Sequence, residues 1–228
     1  MLKRDELVSG LYLDHFKALP HGTVLSFEEL AASRDAFLAT RPESAADIWL
    51  FAYGSLIWNP TLQFAERARS KLRGWHRSFC MHLIAGRATL EQPGRMLSLE
   101  PGGSVEGIAY RLPREASNDE LAAIWLREMI TGAYVPQWLD IELDDGRIQP
   151  AVVFTASTQP QHWCPDSSPE AVASSIGAAA GPLGTNADYV RLLATALVSE
   201  GFNDDYVNRV LALLPGREHQ VLGERACA

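Results

Sequence analysis

Two short stretches of this sequence carry residue types that could catalyse acyl chemistry without a metal. The turn Tyr53-Gly54-Ser55-Leu56 directly follows an apolar, aromatic segment, and Glu128 lies inside a later helical pattern. Glycine lets a ligand approach the backbone closely, and successive N–H groups in such a turn can bind an anion. A buried carboxylic acid has a raised pKa and can transfer protons near neutral pH. Together, the two stretches predict an enzyme.

The helical pattern around Glu128 places this side chain among apolar residues. A capping-box pair, Ser117 and Glu120, predicts a helix that ends near Thr131. At about 100° per residue, Glu128 falls within the apolar arc of this helix, whereas Glu120 and Arg127 lie on the polar side. A charge on an apolar face costs free energy unless it is paired or used in catalysis.

Structural interpretations compete with the catalytic one for both stretches. Glu128 could form an ion pair at the edge of the core with Arg73, Arg87 or Arg95. The segment Tyr53–Leu56 could be an ordinary turn between a strand and a loop. Periodicity and turn composition alone do not decide between these alternatives.

The composition excludes several classes of protein. The chain has 228 residues, 47% of them hydrophobic, which suits one globular domain with a substantial core. Its formal net charge of −8 disfavours nucleic acid and anionic membranes as partners. The first residues contain no apolar signal region, and no apolar run approaches the ~20 residues of a membrane helix. We therefore expect partners of neither class.

Cysteine and histidine usage argues against disulfides and metals. Cys80, Cys164 and Cys227 are odd in number and lack a C-x-x-C spacing, which predicts a reduced, cytoplasmic chain. The six histidines form neither an H-E-x-x-H motif nor a close cluster with cysteine, so no metal site is expected. The sequence also lacks a G-x-S-x-G elbow and a dinucleotide fingerprint, and no cofactor is expected. Cys80, within a strand pattern, is interpreted as a small buried hydrophobe.

The chain is predicted to have three parts. Residues 1–47 form a helical arm, 48–216 the main domain and 217–228 a C-terminal tail. Within the arm, Ser26 and Glu29 form a second capping-box pattern, which predicts the start of a helix. We expect the arm to pack on the main domain or on another subunit.

The main domain is predicted to be α+β, a strand-rich body with one inserted helix and a helical C-terminal cover. The strand candidates are Ile48–Tyr53, Leu72–His82, Met96–Leu99, Val105–Leu112, Trp138–Leu143 and Ala151–Thr155. Clusters of Gly and Pro between them, including Pro101-Gly102-Gly103, predict hairpins and a mostly antiparallel sheet or barrel. The C-terminal helices are expected at about 169–179, 186–200 and 204–214.

Six motifs occur in a fixed order over residues 48–214. They are Phe51 through Trp58, Leu72 through Phe79, Arg87 through Gly94, Gly107 through Leu112, Arg127-Glu128-Met129 with Tyr134, and Ala180-Gly181 through Asn186 with Tyr189. Each motif is short, but the ordered set is specific. It resembles the ChaC family, the glutathione-specific γ-glutamylcyclotransferases.

This resemblance implies a γ-glutamylcyclotransferase-like fold, a small β-barrel or mixed sheet with flanking helices. It also implies cleavage of glutathione, a small-molecule substrate, to 5-oxoproline and Cys-Gly without a cofactor. Glu128 matches the catalytic glutamate of the family, and the loop Tyr53–Leu56 matches the one that holds the γ-glutamyl group. Tyr134 matches a pocket tyrosine, and Arg87 is expected to position a carboxylate. The oligomeric state does not follow from the sequence.

Three positions depart from the family pattern. Ala52 and Ala88 stand where glycine is usual, and Leu90 where proline is usual. The loop that contains Ala88 and Leu90 is expected to border the pocket. Two other functions therefore stay open: a cyclotransferase for other γ-glutamyl amines or peptides, and a non-catalytic module that binds glutathione or γ-glutamyl groups.

Overall fold

A computed structural model of this chain describes residues 2–17, 19–20 and 23–216, so the predicted tail and Cys227 lie outside it. Its main strands are β1 (Trp49–Ala52), β2 (Glu66–Leu83), β3 (Gly94–Arg111), β4 (Tyr134–Leu143) and β5 (Ile148–Ala156). They close into a barrel in the order β1-β3-β2-β4-β5. Neighbouring strands are antiparallel, except that β1 runs parallel to β5.

Helices surround this barrel, which confirms the predicted α+β class and the helical C-terminal cover. The α-helices are α1 (Arg4–Val8), α2 (Phe27–Leu38), α3 (Ser117–Met129), α4 (Pro169–Ala178), α5 (Asn186–Ser199) and α6 (Asp205–Leu213). Short 3₁₀ helices span Leu11–Phe16 and Ser55–Ile57, and a small ribbon pairs β6 (Ala180–Gly181) with β7 (Gly184–Thr185). No helix among the described residues is long and apolar enough to cross a membrane.

Strand β1 lies between β3 and β5, and all four of its residues are buried. A continuous apolar run suits a strand that is covered on both faces. Gly107 in β3 lets β1 approach closely, because a Cβ atom there would lie 2.5 Å from the carbonyl oxygen of Ala52 and 2.8 Å from the ring of Phe51. This close contact fixes the end of β1, from which the Tyr53–Leu56 turn departs.

The prediction of separate strands at Met96–Leu99 and Val105–Leu112 is wrong, because β3 runs through both. The Pro-Gly-Gly cluster between them is a bend within the strand. Gly102 and Gly103 have φ angles of 118° and 69°, and Gly74 on β2 has 80°. The pairing register shifts there, as in a β-bulge, so the ribbon bends without ending.

The predicted capping box at the start of α3 is also wrong. The N-cap residue is Ala116, without a side-chain cap. The carboxylate of Glu120 is instead bound by Arg4, and the Glu120 side chain is only 1% exposed. Arg127, predicted on the polar side with Glu120, is buried too. The face of α3 that periodicity marks as polar is therefore covered. In contrast, the box formed by Ser26 and Glu29 is present as predicted.

Replacing Gly107 by Ala should destabilise the barrel. The added methyl group would collide with the backbone of β1, and overpacking of this kind typically costs about 1–3 kcal/mol. Gly177→Ala is the matched control, because its Cβ would meet only Pro215 at 3.5 Å. Alanine is favoured over glycine in a helix, so the control should be as stable as the wild type or more stable. Urea unfolding of both variants measures the difference, and equal stabilities would contradict the close packing at Gly107.

Candidate active site

Ten residues line a common cavity at the end of the barrel, between the strands β1, β3, β4 and β5, the turn after β1 and the helices α3 and α5. They are Phe51, Tyr53, Gly54, Ser55, Leu56, Leu97, Glu128, Tyr134, Phe154 and Tyr189. The structure thus brings together six of the seven site residues predicted from the sequence. Arg87 is not among the lining residues.

The turn that follows β1 forms one wall of the cavity. It continues into the 3₁₀ helix, where the N–H of Ile57 donates to the carbonyl of Gly54 over 3.0 Å. Gly54 has a φ of −128°, so it does not use the positive φ that glycine permits. It is needed for space, because a Cβ would lie 2.9 Å from the hydroxyl of Tyr189 and 3.3 Å from Leu97.

Glu128 lies at the C-terminal end of α3, and its side chain is 16% exposed. Burial raises the pKa of this carboxyl, and the charge of Arg127 acts in the opposite direction. The Nε of Arg127 lies 3.2 Å from the Glu128 Oε1. The expected ion pair therefore exists, but its partner is the neighbouring residue and not one of the three arginines named from the sequence.

Arg127 joins Glu128 to the turn and to the segment after it. Its Nη2 donates to the Ser55 Oγ over 2.7 Å. Its Nη1 donates to the Asn59 carbonyl over 2.6 Å and to the Thr61 Oγ1 over 2.7 Å. The sequence analysis missed this role because helical periodicity placed Arg127 on a solvated face. The sequence does contain one indication of this role, because a positively charged residue, Arg127, directly precedes the negatively charged Glu128.

Three tyrosines line the cavity together with Glu128, and two of them, Tyr53 and Tyr134, are buried. The Tyr53 hydroxyl donates to the Phe154 carbonyl over 2.6 Å, and the Tyr134 hydroxyl donates to the Leu97 carbonyl over 2.7 Å. Burial raises the pKa of both phenols, and the charge of Glu128 raises it further. These hydroxyls therefore stay protonated at neutral pH.

Tyr189, on α5, is a cavity residue that the sequence analysis noted only within a motif. Its ring packs edge-on against Trp58, with ring centroids 5.4 Å apart. Burial raises the pKa of its phenol, whereas a hydrogen bond from the backbone of Ser55 lowers it. This hydroxyl is therefore located where the turn presents its N–H groups.

The loop with the two departures from the family pattern is held by the β6–β7 ribbon. The Arg87 Nη1 donates to the Thr185 carbonyl over 3.0 Å. Ala88 is buried against Gly181, where any Cβ would meet the Ala88 backbone at 2.7 Å, and Leu90 is exposed. A carboxylate-binding role for Arg87 stays a prediction.

The described residues contain no group of three or more His, Cys, Asp or Glu side chains that could hold a metal ion. The cavity offers one part-buried carboxylate, hydroxyl groups and a turn with backbone N–H groups. This set can move a proton and hold a small polar molecule, which is the equipment of general acid–base catalysis.

The chain is similar to several known proteins. A family model described as ChaC-like protein matches residues 48–217. The glutathione-specific gamma-glutamylcyclotransferase of Escherichia coli (strain K12) is 46% identical over 211 residues, 92% of this chain and 91% of the relative. Gamma-glutamylcyclotransferase 2-3 of Arabidopsis thaliana is 32% identical over 170 residues, 70% of this chain and 84% of the relative.

A solved structure also supports the fold. It is described as a glutathione-specific γ-glutamyl cyclotransferase from yeast, and it aligns with a TM-score of 0.68 at 19% identity. The alignment covers 74% of this chain and 95% of the yeast chain. This likeness confirms the predicted barrel fold.

Replacing Glu128 by Gln should change how stability depends on pH. Because burial raises the pKa of Glu128, the folded protein binds this proton more tightly than the unfolded chain. The contribution of the carboxyl is constant below its unfolded pKa and falls as pH rises toward its folded pKa. The free energy of unfolding of the wild type should therefore decline relative to Glu128→Gln across this window. Urea titrations at a series of pH values test this, and a flat or rising difference would contradict the raised pKa.

Proposed function

The chain belongs to the ChaC-like protein family, and on that premise we propose that it is a glutathione-specific γ-glutamylcyclotransferase. The reaction converts glutathione to 5-oxoproline and Cys-Gly. The observation that carries the proposal is the position of Glu128, whose part-buried side chain lines the same cavity as the Tyr53–Leu56 turn. The E. coli relative, similar over nearly the whole chain, supports glutathione as the substrate.

The substrate supplies its own nucleophile. The α-amine of the γ-glutamyl unit attacks the γ-carbonyl carbon, which forms the ring C–N bond, and the C–N bond to the cysteinyl nitrogen then breaks. Glu128 takes a proton from the α-ammonium group and returns it to the departing cysteinyl nitrogen. The ring nitrogen gives up a second proton as it becomes the lactam N–H, and this proton ends on the same leaving amine, so Cys-Gly departs as an ammonium and no net proton is lost. The proton transfer requires a carboxyl with a pKa closer to neutral than usual, and burial provides this.

The cavity walls serve to hold the substrate in a folded conformation. Ring closure is intramolecular, so much of the rate enhancement comes from orientation. The N–H groups of Gly54 to Leu56 are suited to bind the α-carboxylate or the oxyanion that develops on the γ-carbonyl oxygen. The hydroxyls of Tyr53 and Tyr134 already donate to backbone carbonyls, so their part is to fix the shape of the cavity.

The mechanism has no covalent enzyme intermediate. Cys80 is fully buried, and burial raises the pKa of its thiol to about 12. The thiolate needed for nucleophilic attack is therefore absent near neutral pH. The free thiols of Cys80 and Cys164 also suit a reducing compartment, and we place the protein in the cytoplasm.

Glu128→Gln should fold normally and lose turnover. Removing one general acid–base group typically lowers kcat by about 10²–10⁴-fold. The assay incubates purified protein with glutathione and measures 5-oxoproline and Cys-Gly together. Glu115→Gln, the same change at an exposed position near the start of α3, is the matched control and should keep full activity.

Other results of this assay separate the alternatives. A Glu128→Gln protein with near-normal turnover would remove Glu128 from the mechanism. Folded wild type that cleaves γ-glutamyl amino acids or amines but not glutathione would indicate a different substrate. Binding of glutathione without products would indicate a binding module.

The pH profile of the wild type gives a second test of the base. Glu128 must be ionised to accept the ammonium proton, so kcat/KM should rise with pH through the ionisation of this carboxyl. Because burial raises its pKa, the midpoint should lie above the usual carboxyl range. A rise centred within the ordinary carboxyl range would contradict the assignment.

A further inference from the structure

The N-terminal arm makes a buried contact with the helix that carries Glu128. The guanidinium of Arg4 binds both carboxylate oxygens of Glu120, each over 2.6 Å. Glu120 also accepts from the backbone N–H of Gln63 over 3.0 Å. Charge-assisted bidentate contacts of this kind are strong and geometrically specific. The pair therefore fixes the arm against α3.

The same arm holds the segment that follows the active-site turn. The Nη1 of Arg4 donates to the Thr61 carbonyl over 3.1 Å, and the Asn59 side chain donates to the Leu2 carbonyl over 2.9 Å. On the other side, Arg127 binds oxygens of the same two residues, Asn59 and Thr61. The segment is thus held from both sides.

Thr61 shows that this double contact holds an unfavourable backbone conformation. Its φ is 52°, in the left-handed region that a β-branched residue rarely adopts. Such a conformation persists only where the surrounding structure over-determines it. Arg4 binds the carbonyl of Thr61 and Arg127 binds its hydroxyl, so both arginines help to hold this conformation.

We propose that the arm is a positioning element of the active site, in which Arg4 and Glu120 hold Thr61 in place for Arg127. Arg127 in turn holds Ser55 of the turn and pairs with Glu128. Arg4 is therefore a positioning residue, acting through Arg127. This inference rests on the proposed function. The arm lies outside residues 48–217, so the support comes from a part of the chain that the family model does not include.

Loss of this support should displace catalytic groups without removing any of them. A displacement of about 1 Å can lower the rate by up to 10²-fold. It should also change the proton affinity of Glu128, because Arg127 is the cation beside it. The groups that act electrostatically on Glu128 or are affected by its charge are Arg127, Tyr12 of the arm, Tyr53, Tyr134 and Tyr189.

The central experiment is the double variant Arg4→Met with Glu120→Gln. It removes the buried charge of Glu120 together with the part-exposed charge of Arg4, and the Gln keeps an acceptor for the Gln63 N–H. We expect kcat for glutathione to fall on the order of 10-fold to 100-fold, with a smaller change in KM. The acid limb of kcat/KM should move to higher pH, since a looser Arg127 lowers the pKa of Glu128 less.

Two controls separate positioning from stability. Arg34→Met with Asp35→Asn removes a more exposed ion pair within the same arm and should leave kcat and the acid limb unchanged. In an Arg127→Lys background, the Arg4/Glu120 change should lower kcat by a smaller factor than in the wild type, because both act through one group. If the Arg4/Glu120 change lowers kcat by the same factor in both backgrounds, the proposal is overturned. A folded Arg4→Met/Glu120→Gln protein with the kcat and the acid limb of the wild type would also overturn it.

A third variant, Arg4→Lys, decides the question if the double variant does not fold. Lysine keeps the charge but cannot hold Glu120 bidentately. A lowered kcat with a raised acid limb supports the proposal, and wild-type values overturn it.

A readout without turnover separates this inference from the proposed function. In the Arg4/Glu120 background, the pH window over which the protein with Glu128 loses stability relative to its Glu128→Gln counterpart should extend to higher pH, because its upper end is the folded-state pKa of Glu128. A protein that fails to cleave glutathione refutes the proposed function, whereas an unshifted window refutes the positioning role.

Discussion

The guanidinium of Arg127 binds the carboxylate of Glu128 and three oxygens of the segment after β1 at the same time. Two opposing effects meet at Glu128. Burial favours its neutral form, and the adjacent cation favours the ionised form. A carboxyl balanced in this way can both accept and return a proton. The rest of the structure serves to keep this arginine and this glutamate in a fixed relation to the turn.

The barrel contributes rigidity on the opposite side of the cavity. Tyr53 and Tyr134 are anchored to carbonyls of β5 and β3, so their side chains are part of the barrel's hydrogen bonding. Gly107 lets β1 lie against β3, and Gly54 makes room for Tyr189. The cavity is thus formed by strand packing on one side and by helix docking on the other.

Sequence reasoning succeeded where a local pattern decides the structure. The Ser26 box, the Pro169 start of α4 and the apolar run of β1 depend on neighbouring residues, and all are present. The predictions were wrong where contacts with a distant segment of the chain determine the structure. Periodicity alone could not show that Arg4 binds Glu120 or that the segment after β1 binds Arg127, since these partners lie far away in the sequence. The six motifs predicted the cavity residues well, because a shared site constrains them together.

Arg4 and Glu120 are separated by 116 residues, and this separation affects how the protein acquires its activity. Contacts between remote segments form only after a large loss of chain entropy, which makes them slow. During synthesis the arm leaves the ribosome well before α3 has been made, so Arg4 cannot bind Glu120 until then. The active site therefore reaches its final geometry only after α3 has been made and Arg4 has bound Glu120. A partly folded chain would therefore lack a complete site, and activity would begin only when the whole domain is assembled.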